Sequence, residues 1–94
     1  MNNKKIRRHI YLDGKVQGVG FRHFVLTNAV RNSVTGWVKN LYDGRVEAVF
    51  EGEKSNVKKL LELAEKGPRW ASVESTNIDK EEYRGEFKKF RVKY

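Results

Sequence analysis

The sequence Gly14-Lys15-Val16-Gln17-Gly18-Val19-Gly20-Phe21-Arg22 places three glycines and one arginine between two segments of regular pattern. Glycine reaches positive φ angles without steric cost, so successive amide groups in such a stretch can point into one concave space. A helix that begins after the glycines adds unpaired N–H groups and the positive end of its dipole. The stretch therefore predicts a cradle of backbone amides for a small phosphate-like anion, closed by the planar guanidinium of Arg22.

The three glycines have an alternative explanation, a tight turn from strand to helix that needs glycine for its geometry alone. Two familiar phosphate-binding sequences do not fit this chain. The G-x-x-x-x-G-K-[ST] pattern is absent, and Gly18-Val19-Gly20 lacks the third glycine of a dinucleotide fingerprint. The position of Arg22, at the start of the expected helix, favours anion binding over the purely geometric alternative.

The segments on either side of the glycines differ in their hydrophobic period. In residues 6–12 the apolar side chains fall at even positions, with Arg8 as the exception, which predicts a strand with one buried face. From Phe21 to Ala29 apolar residues recur at three- and four-residue spacing, which predicts an amphipathic helix of about three turns. The glycines thus join a first strand to a first helix.

A hairpin, a second helix and two further strands are predicted in the rest of the chain. Residues 36–41 and 45–51 alternate as strands do, and Asp43-Gly44 between them is a strong hairpin signal. A second helical stripe runs from Val57 to Ala64, with Ser55 as the expected N-cap and Gly67-Pro68 as the stop.

Two more strands are expected near the end of the sequence. Residues 71–78 give a weaker strand pattern, and residues 90–94 alternate clearly. We expect the acidic stretch Lys80-Glu81-Glu82 to form the turn that separates them. The order strand, helix, strand, strand, helix, strand, with a terminal strand added, matches the split βαβ arrangement of ferredoxin-like folds.

This order predicts an α+β, ferredoxin-like sandwich in which an antiparallel sheet carries two helices on one face. Each helix has only one apolar stripe to bury, so both must pack against the same core. The length of 94 residues is typical of one domain with one hydrophobic core, and we expect residues 1–94 to form a single domain.

Composition excludes several classes of function. The sequence contains no cysteine, which removes disulfides, thiolate nucleophiles and cysteine-based metal sites and fits a cytosolic protein. Asp13, Asp43 and Asp79 form no clustered metal-ligand pattern, and we expect neither a metal nor another cofactor. No segment approaches the ~20 apolar residues of a membrane span, and no apolar run follows the basic N-terminus. We expect a cytoplasmic monomer without a membrane partner.

Lysine and arginine outnumber the acids 20 to 12, giving a net charge of +8, and a basic surface attracts phosphates of any kind. The charges are spread along the chain among glutamates, which is typical of a solvated surface. The basic, glycine and aromatic run of an RNA-binding ferredoxin-like domain is missing from residues 45–50. We expect no nucleic-acid partner, and a basic RNA- or anion-binding module without turnover stays as the alternative function.

The glycine-rich stretch also resembles a known family. Residues 14–22 fill every defined position of the acylphosphatase signature G-x-V-Q-G-V-x-F-R. A second pattern of that family is similar to Gly36-Trp37-Val38-Lys39-Asn40, which is followed by glycines at the expected places. Gly67-Pro68 and residues 87–94 resemble the family as well. One departure is Asn32-Ser33-Val34, where relatives often have a glycine, and we expect asparagine to tolerate the left-handed helix end.

The resemblance implies a reaction and a set of site residues. The reaction is hydrolysis of a small acyl phosphate to a carboxylate and inorganic phosphate, without a metal, a cofactor or an enzyme-bound intermediate. Arg22 would bind the phosphate oxygens, and Asn40 would hold the attacking water. The backbone amides that would hold the phosphate are those of Gln17, Gly18, Val19, Gly20, Phe21 and Arg22.

Hydrolysis of an acyl phosphate needs no more than backbone amides, one arginine and one asparagine. The carboxylate of an acyl phosphate leaves readily, so the protein has to hold the phosphoryl group, offset its charge and aim a water in line. Asn40 is not basic, so we expect the proton of the water to pass to a phosphate oxygen of the substrate. His23 is the rival base. A regulatory domain that binds a phosphorylated or carboxylated metabolite without turnover is a third hypothesis.

The other prominent side chains have structural interpretations. We expect His9 to lie on a face of the sheet, and Trp37 and Phe21 to be core or site-wall residues rather than platforms for stacking bases. For Asn40 the alternative to a catalytic role is a hairpin asparagine that bonds to the backbone.

Overall fold

A computed structural model of the chain describes residues 4–94. The expectations about the extreme N-terminus fall partly on residues 1–3, which lie outside this range. None of the helices described is long and apolar enough to cross a membrane. The elements in chain order are β1 (Lys5–Lys15), α1 (Phe21–Arg31), β2 (Thr35–Asn40), β3 (Val46–Glu53), α2 (Lys54–Lys66), β4 (Ser72–Glu81) and β5 (Phe90–Lys93).

The strands form a five-stranded sheet in the order β4-β1-β3-β2-β5. β1 pairs antiparallel with β3 and β4, and β2 pairs antiparallel with β3, so the predicted ferredoxin-like α+β class is confirmed. The fifth strand differs from the antiparallel prediction, because β5 runs parallel to β2. The chain leaves β4 and crosses one end of the sheet before β5 begins. β5 is therefore antiparallel to β4 and has the direction of β2.

Both helices lie on one face of the sheet, as the sequence predicts. α1 packs on β2 and β5, α2 packs on β1, β3 and β4, and the helices contact each other. The hydrophobic core lies between these helices and the sheet. Its fully buried side chains include Ile10, Leu12, Val25, Val38, Ala48, Phe50, Val57 and Leu60.

The start of α2 differs from the prediction that Ser55 is its N-cap. The helix begins at Lys54, directly after β3, and Glu53 occupies the cap position without a side-chain hydrogen bond. The N–H of Lys54 donates to the carbonyl oxygen of Lys4 at 2.9 Å. The backbone just before β1 thus satisfies one of the amides that a side-chain cap would otherwise serve. The predicted stop is confirmed, with Gly67 as the C-cap at φ 71°.

The end of α1 corrects a second prediction. Ser33, with φ 56°, takes the left-handed conformation, whereas Asn32 has φ −103°. The side-chain amide of Asn32 donates to the carbonyl oxygen of Asn28 at 2.8 Å. This bond holds Asn32 against the last turn of the helix, so the left-handed turn falls on the residue that follows.

The acidic stretch at residues 80–82 is not the predicted turn, because β4 continues through Glu81. The carboxylate of Glu81 accepts hydrogen bonds from Arg7 Nε at 2.8 Å and from His9 Nδ1 at 2.9 Å. These two residues of β1 hold the end of β4 in the sheet. The connection to β5 is therefore the later segment 82–89.

A buried carboxylate fastens this connecting segment to the sheet. Glu51 is fully buried and accepts from the backbone N–H groups of Arg84 at 2.8 Å and Glu86 at 3.3 Å. Arg7 Nη1 lies 3.2 Å from the same carboxylate and also binds Glu86. A buried charge is tolerated when it is paired and hydrogen-bonded. Glu51 therefore determines where the chain crosses towards β5.

His9 lies on the face of the sheet opposite the helices, between two carboxylates. Its Nε2 is 2.6 Å from Glu47 and its Nδ1 is 2.9 Å from Glu81. Both ring nitrogens donate only when the imidazole is protonated. Burial alone lowers the pKa of His9, but the hydrogen bonds and charges of Glu47 and Glu81 outweigh it and raise the pKa above its ordinary value of 6.5.

We predict that His9 makes the free energy of unfolding depend on pH. A raised pKa in the folded state stabilises the protein fully below the unfolded pKa, and this contribution is lost as the pH rises through the folded pKa. Urea denaturation from pH 6 to 9 should show falling stability in the wild type and a weaker fall in His9→Gln. His23→Gln, the matched control, should keep the wild-type fall. A fall of equal size in His9→Gln would show that His9 is not the source of the pH dependence.

We predict that Gly36→Ala destabilises the fold more than Gly44→Ala does. Both glycines have positive φ, 138° and 96°, so alanine is strained at either position by about 1–3 kcal/mol. At Gly36 a Cβ would also lie 1.8 Å from the carbonyl oxygen of Val49, while at Gly44 it would meet nothing within 4 Å. Urea denaturation measures both losses. Equal losses would show that the approach of β3 to Gly36 is not tight.

Candidate active site

The loop between β1 and α1 is built on two glycines with left-handed backbone. Gly18 has φ 72° and Gly20 has φ 75°. A Cβ on either would meet no atom within 4 Å, so these positions need glycine for its backbone freedom and not for space. Gly20 is also the N-cap of α1, without a side-chain capping bond. The loop therefore enters the helix with its backbone amides uncovered.

Gly14 has a different role from the other two glycines. It lies within β1 at an irregularity in the pairing with β4, and it has φ 124°. A Cβ there would lie 2.2 Å from the carbonyl oxygen of Ser72. Both the positive φ and the close approach of β4 require glycine at this position. The predicted cradle is thus shorter than the stretch 14–22, because its first glycine belongs to the sheet.

The backbone amides of residues 17–23 form a continuous run without acceptors. Before the run, the N–H of Val16 donates to the carbonyl oxygen of Gly14 at 3.1 Å. After it, the N–H of Phe24 donates to the carbonyl oxygen of Gly20 at 3.0 Å. Within residues 4–94, none of the amides between these two has a hydrogen-bond acceptor. Unpaired N–H groups at the positive end of a helix favour an anion.

The side chain of Gln17 ties the loop to the β2–β3 hairpin. Its Nε2 donates to the carbonyl oxygen of Leu41 at 2.8 Å and to that of Arg45 at 2.9 Å. These two carbonyls lie at the closed end of the hairpin, beside Asn40. The sequence implied only a backbone role for Gln17. Its amide is the one side-chain group in the loop that can donate twice, and this property could have indicated the tether.

Arg22 is the second residue of α1 and reaches the end of β5. Its Nη1 lies 3.4 Å from the carbonyl oxygen of Lys93, and its Cζ lies 4.7 Å from the centre of the Tyr94 ring. The guanidinium retains further N–H groups for a ligand, since it carries five in all. The end of β5 therefore supports Arg22 from one side of the loop.

Asn40 is the last residue of β2, and its side-chain oxygen is an unusual feature. Oδ1 is buried and has no hydrogen-bond donor within residues 4–94. A buried acceptor without a partner is costly and uncommon. A water molecule or a ligand that donates to Oδ1 would remove the cost. Asn40 does not bond to the hairpin through this oxygen, which argues against the purely structural alternative.

A single cleft of about 380 Å³ brings most of the expected site residues together. Val16, Leu26, Val92 and Tyr94 give it an apolar side, and His23 also lines it, so His23 remains a rival base. The side chains of Gln17 and Val19 do not line it, and those residues reach the site only through their amides. The expected residues that line the cleft are Gly18, Gly20, Phe21, Arg22 and Asn40.

The structure confirms the predicted role of Phe21 but not that of Trp37. Phe21 is buried in the core and also lines the cleft, which confirms its prediction. Trp37 is half-buried on the opposite face of the sheet, where Lys93 Nζ lies 4.4 Å from its ring centre. The prediction of a core or site-wall role is wrong for Trp37, because the strand alternates faces and Val38 takes the core position.

Comparisons with known proteins identify the family of the chain. A model of the acylphosphatase family matches residues 8–92. The chain belongs to the acylphosphatase family. An acylphosphatase from Pyrobaculum islandicum is 51% identical to it over 90 residues, 95% of each chain. One from Syntrophus aciditrophicus is 49% identical over 88 residues, which is 94% of this chain and 92% of the relative.

A solved structure supports the same assignment. The crystal structure of the acylphosphatase from Bacillus subtilis superposes with a TM-score of 0.91 at 34% identity, covering 95% of this chain and 99% of that one. In the part of this acylphosphatase-family chain that the structure describes, no three His, Cys, Asp or Glu side chains are grouped so that they could hold a metal ion.

We predict that Gln17→Ala lowers the free energy of unfolding by about 1–3 kcal/mol, because two carbonyl groups lose their common donor. Gln17→Glu keeps the shape of the side chain but cannot donate, so it should be at least as destabilising. Urea denaturation measures both. Wild-type stability in Gln17→Glu would show that the two hydrogen bonds do not hold the loop to the hairpin.

Proposed function

We propose that this chain is a metal-independent acylphosphatase, which hydrolyses acyl phosphates to a carboxylate and inorganic phosphate. The observation that carries the proposal is the juxtaposition of three features in one cleft. These are a run of amides without acceptors in residues 17–23, the guanidinium of Arg22, and the buried, unpartnered Oδ1 of Asn40. Together they provide donors for a phosphate and an acceptor for a water.

The phosphoryl group binds in the loop. Its oxygens accept hydrogen bonds from the amides of residues 17–22, at the positive end of α1. The planar fork of Arg22 binds two of the oxygens and offsets the charge that builds on them in the transition state. These donors are fixed before the substrate arrives, so little reorganisation accompanies the reaction.

The attacking water binds to Asn40. The water donates one hydrogen to Oδ1, which removes the unsatisfied acceptor and points an oxygen lone pair at phosphorus. The water oxygen forms a bond to phosphorus while the bond from phosphorus to the acyl oxygen breaks. The carboxylate leaves with that electron pair. Asn40 is not basic, so the proton of the water passes to a phosphate oxygen of the substrate.

The leaving group reduces what the protein has to supply. A carboxylate is a stable anion at neutral pH, so it needs little protonation as it leaves. His23 lines the cleft and is the alternative acceptor for the proton of the water. A kcat in His23→Gln that stays near the wild-type value supports the substrate as the proton acceptor.

The proposal extends to the setting of the reaction. The length of the chain suits one domain with one core, so we place the activity in a monomer made of a single domain, residues 1–94. A chain without cysteine suits a reducing compartment, and the cytoplasm is the expected location. Binding without turnover is not favoured, because a binding domain has no use for the water acceptor that Asn40 provides.

We predict that Arg22→Gln and Asn40→Ala each lower kcat for benzoyl phosphate by ~10²–10³, the usual effect of losing one preorganised group. The assay contains EDTA and should give wild-type turnover in its presence. Arg31→Gln, at the other end of the same helix, is the matched control and should stay within about twofold of wild type.

The same assay can refute the proposal in two ways. Turnover unaffected by Arg22→Gln would show that another group offsets the charge on the phosphate. Turnover abolished by EDTA would show that a metal takes part. Inorganic phosphate should compete with benzoyl phosphate in the wild type and compete less well in Arg22→Gln.

A further inference from the structure

A second groove lies behind the wall of the active-site cleft. β2 and β5 form that wall, and their side chains alternate between its two sides. Asn40 and Val92 line the cleft, while Trp37, Arg91 and Lys93 line a groove of about 500 Å³ on the opposite face of the sheet. The groove is distinct from the cleft and has no role in the proposed hydrolysis.

The charges of this groove are almost all positive. Lys88, Arg91 and Lys93 line it, and none of them forms a salt bridge within residues 4–94. The acidic residue of the groove, Glu86, is bound to Arg7 instead. Unpaired cations that converge on a concave surface attract an anion and bind it more strongly than scattered ones do.

Two aromatic side chains, Trp37 and Phe87, line the same groove as these cations. Trp37 is opposite Arg91 in the parallel pairing of β2 and β5, and Lys93 Nζ lies 4.4 Å from the centre of its ring. Phe87 forms another part of the groove and contacts Arg7 at 5.3 Å from its ring centre. Lys39 Nζ also lies over the Trp37 ring, 5.5 Å from its centre. Aromatic rings beside cations are the combination that recognises a planar base and its phosphate together.

We propose that this groove binds a phosphate monoester that carries a planar aromatic ring, with a nucleoside monophosphate as its simplest representative. The ring packs against Trp37 and Phe87. The phosphate is held by Arg91, which can bind two of its oxygens, and by Lys88 and Lys93 as point charges. The volume of the groove is within the range of sites for such ligands.

The first experiment follows binding by tryptophan fluorescence in Trp70→Phe, where Trp37 is the remaining tryptophan. AMP is titrated into this variant and into the same variant with Arg22→Gln, which weakens binding of a phosphate in the active-site cleft. The fluorescence should be quenched, and ribose 5-phosphate and adenosine should each bind at least about tenfold more weakly, because each lacks one of the two recognised parts. AMP binding that is lost when Arg22→Gln is added would overturn the proposal and place AMP in the cleft.

The second experiment separates the groove from the general positive charge of the protein. Lys88→Ala with Arg91→Ala and Lys58→Ala with Lys59→Ala each remove two positive charges, the latter pair from α2. The groove variant should weaken AMP binding by about tenfold or more, and the α2 variant by less than about twofold. Equal weakening would overturn the proposal, since it would show diffuse attraction only.

Two further readouts complete the test. Turnover of benzoyl phosphate should stay within about twofold of wild type in the groove variant, because neither residue lines the cleft. Loss of AMP binding with normal turnover supports the groove and is independent of the proposed hydrolysis. A single-stranded oligonucleotide that binds at least about a hundredfold more tightly than AMP, with the same loss in both variants, would replace the proposal by nonspecific nucleic-acid binding.

Discussion

The backbone N–H groups of residues 17–23 have no hydrogen-bond acceptor in the described part of the chain. The surrounding structure holds the loop in this conformation. Unpaired backbone donors are unfavourable unless water or a ligand satisfies them, so a loop of this kind would collapse onto itself if it were free to move. Gly18 and Gly20 supply its left-handed backbone, and Gln17 fixes it to the hairpin through two carbonyls. The same hairpin carries Asn40, so the side chain of Gln17 links the two halves of the site.

The pairing of β2 with β5 completes the site and produces the second groove at the same time. Lys39 is opposite Lys93, so the residues that follow, Asn40 and Tyr94, reach the same cleft, and Arg22 rests against the end of β5. The parallel direction of β5 depends on where the chain leaves β4. A buried carboxylate, Glu51, fixes that path through the amides of segment 82–89.

The order of the elements and most of the core could be predicted from the sequence because hydrophobic period is a local property. The hairpin signal Asp43-Gly44 and the helix stop Gly67-Pro68 are local signals as well. The parallel strand, the buried pair of Arg7 and Glu51, and the extension of β4 through Glu81 depend on residues far apart in sequence, and no local pattern indicates which charge meets which. For the site, the amides and Arg22 follow from the glycine-rich stretch, whereas their proximity to Asn40 came from the family resemblance.

The most direct test of this account is a titration of the ¹⁵N-labelled protein with inorganic phosphate, followed by two-dimensional NMR of the backbone amides. The account predicts that the largest changes in chemical shift fall on residues 17–23 and on Asn40, and that Arg22→Gln greatly reduces them. Phosphate that shifts the lysine-rich surface and the groove at residues 86–93, with residues 17–23 unchanged, would contradict the claim that the unpaired amides form the phosphate site.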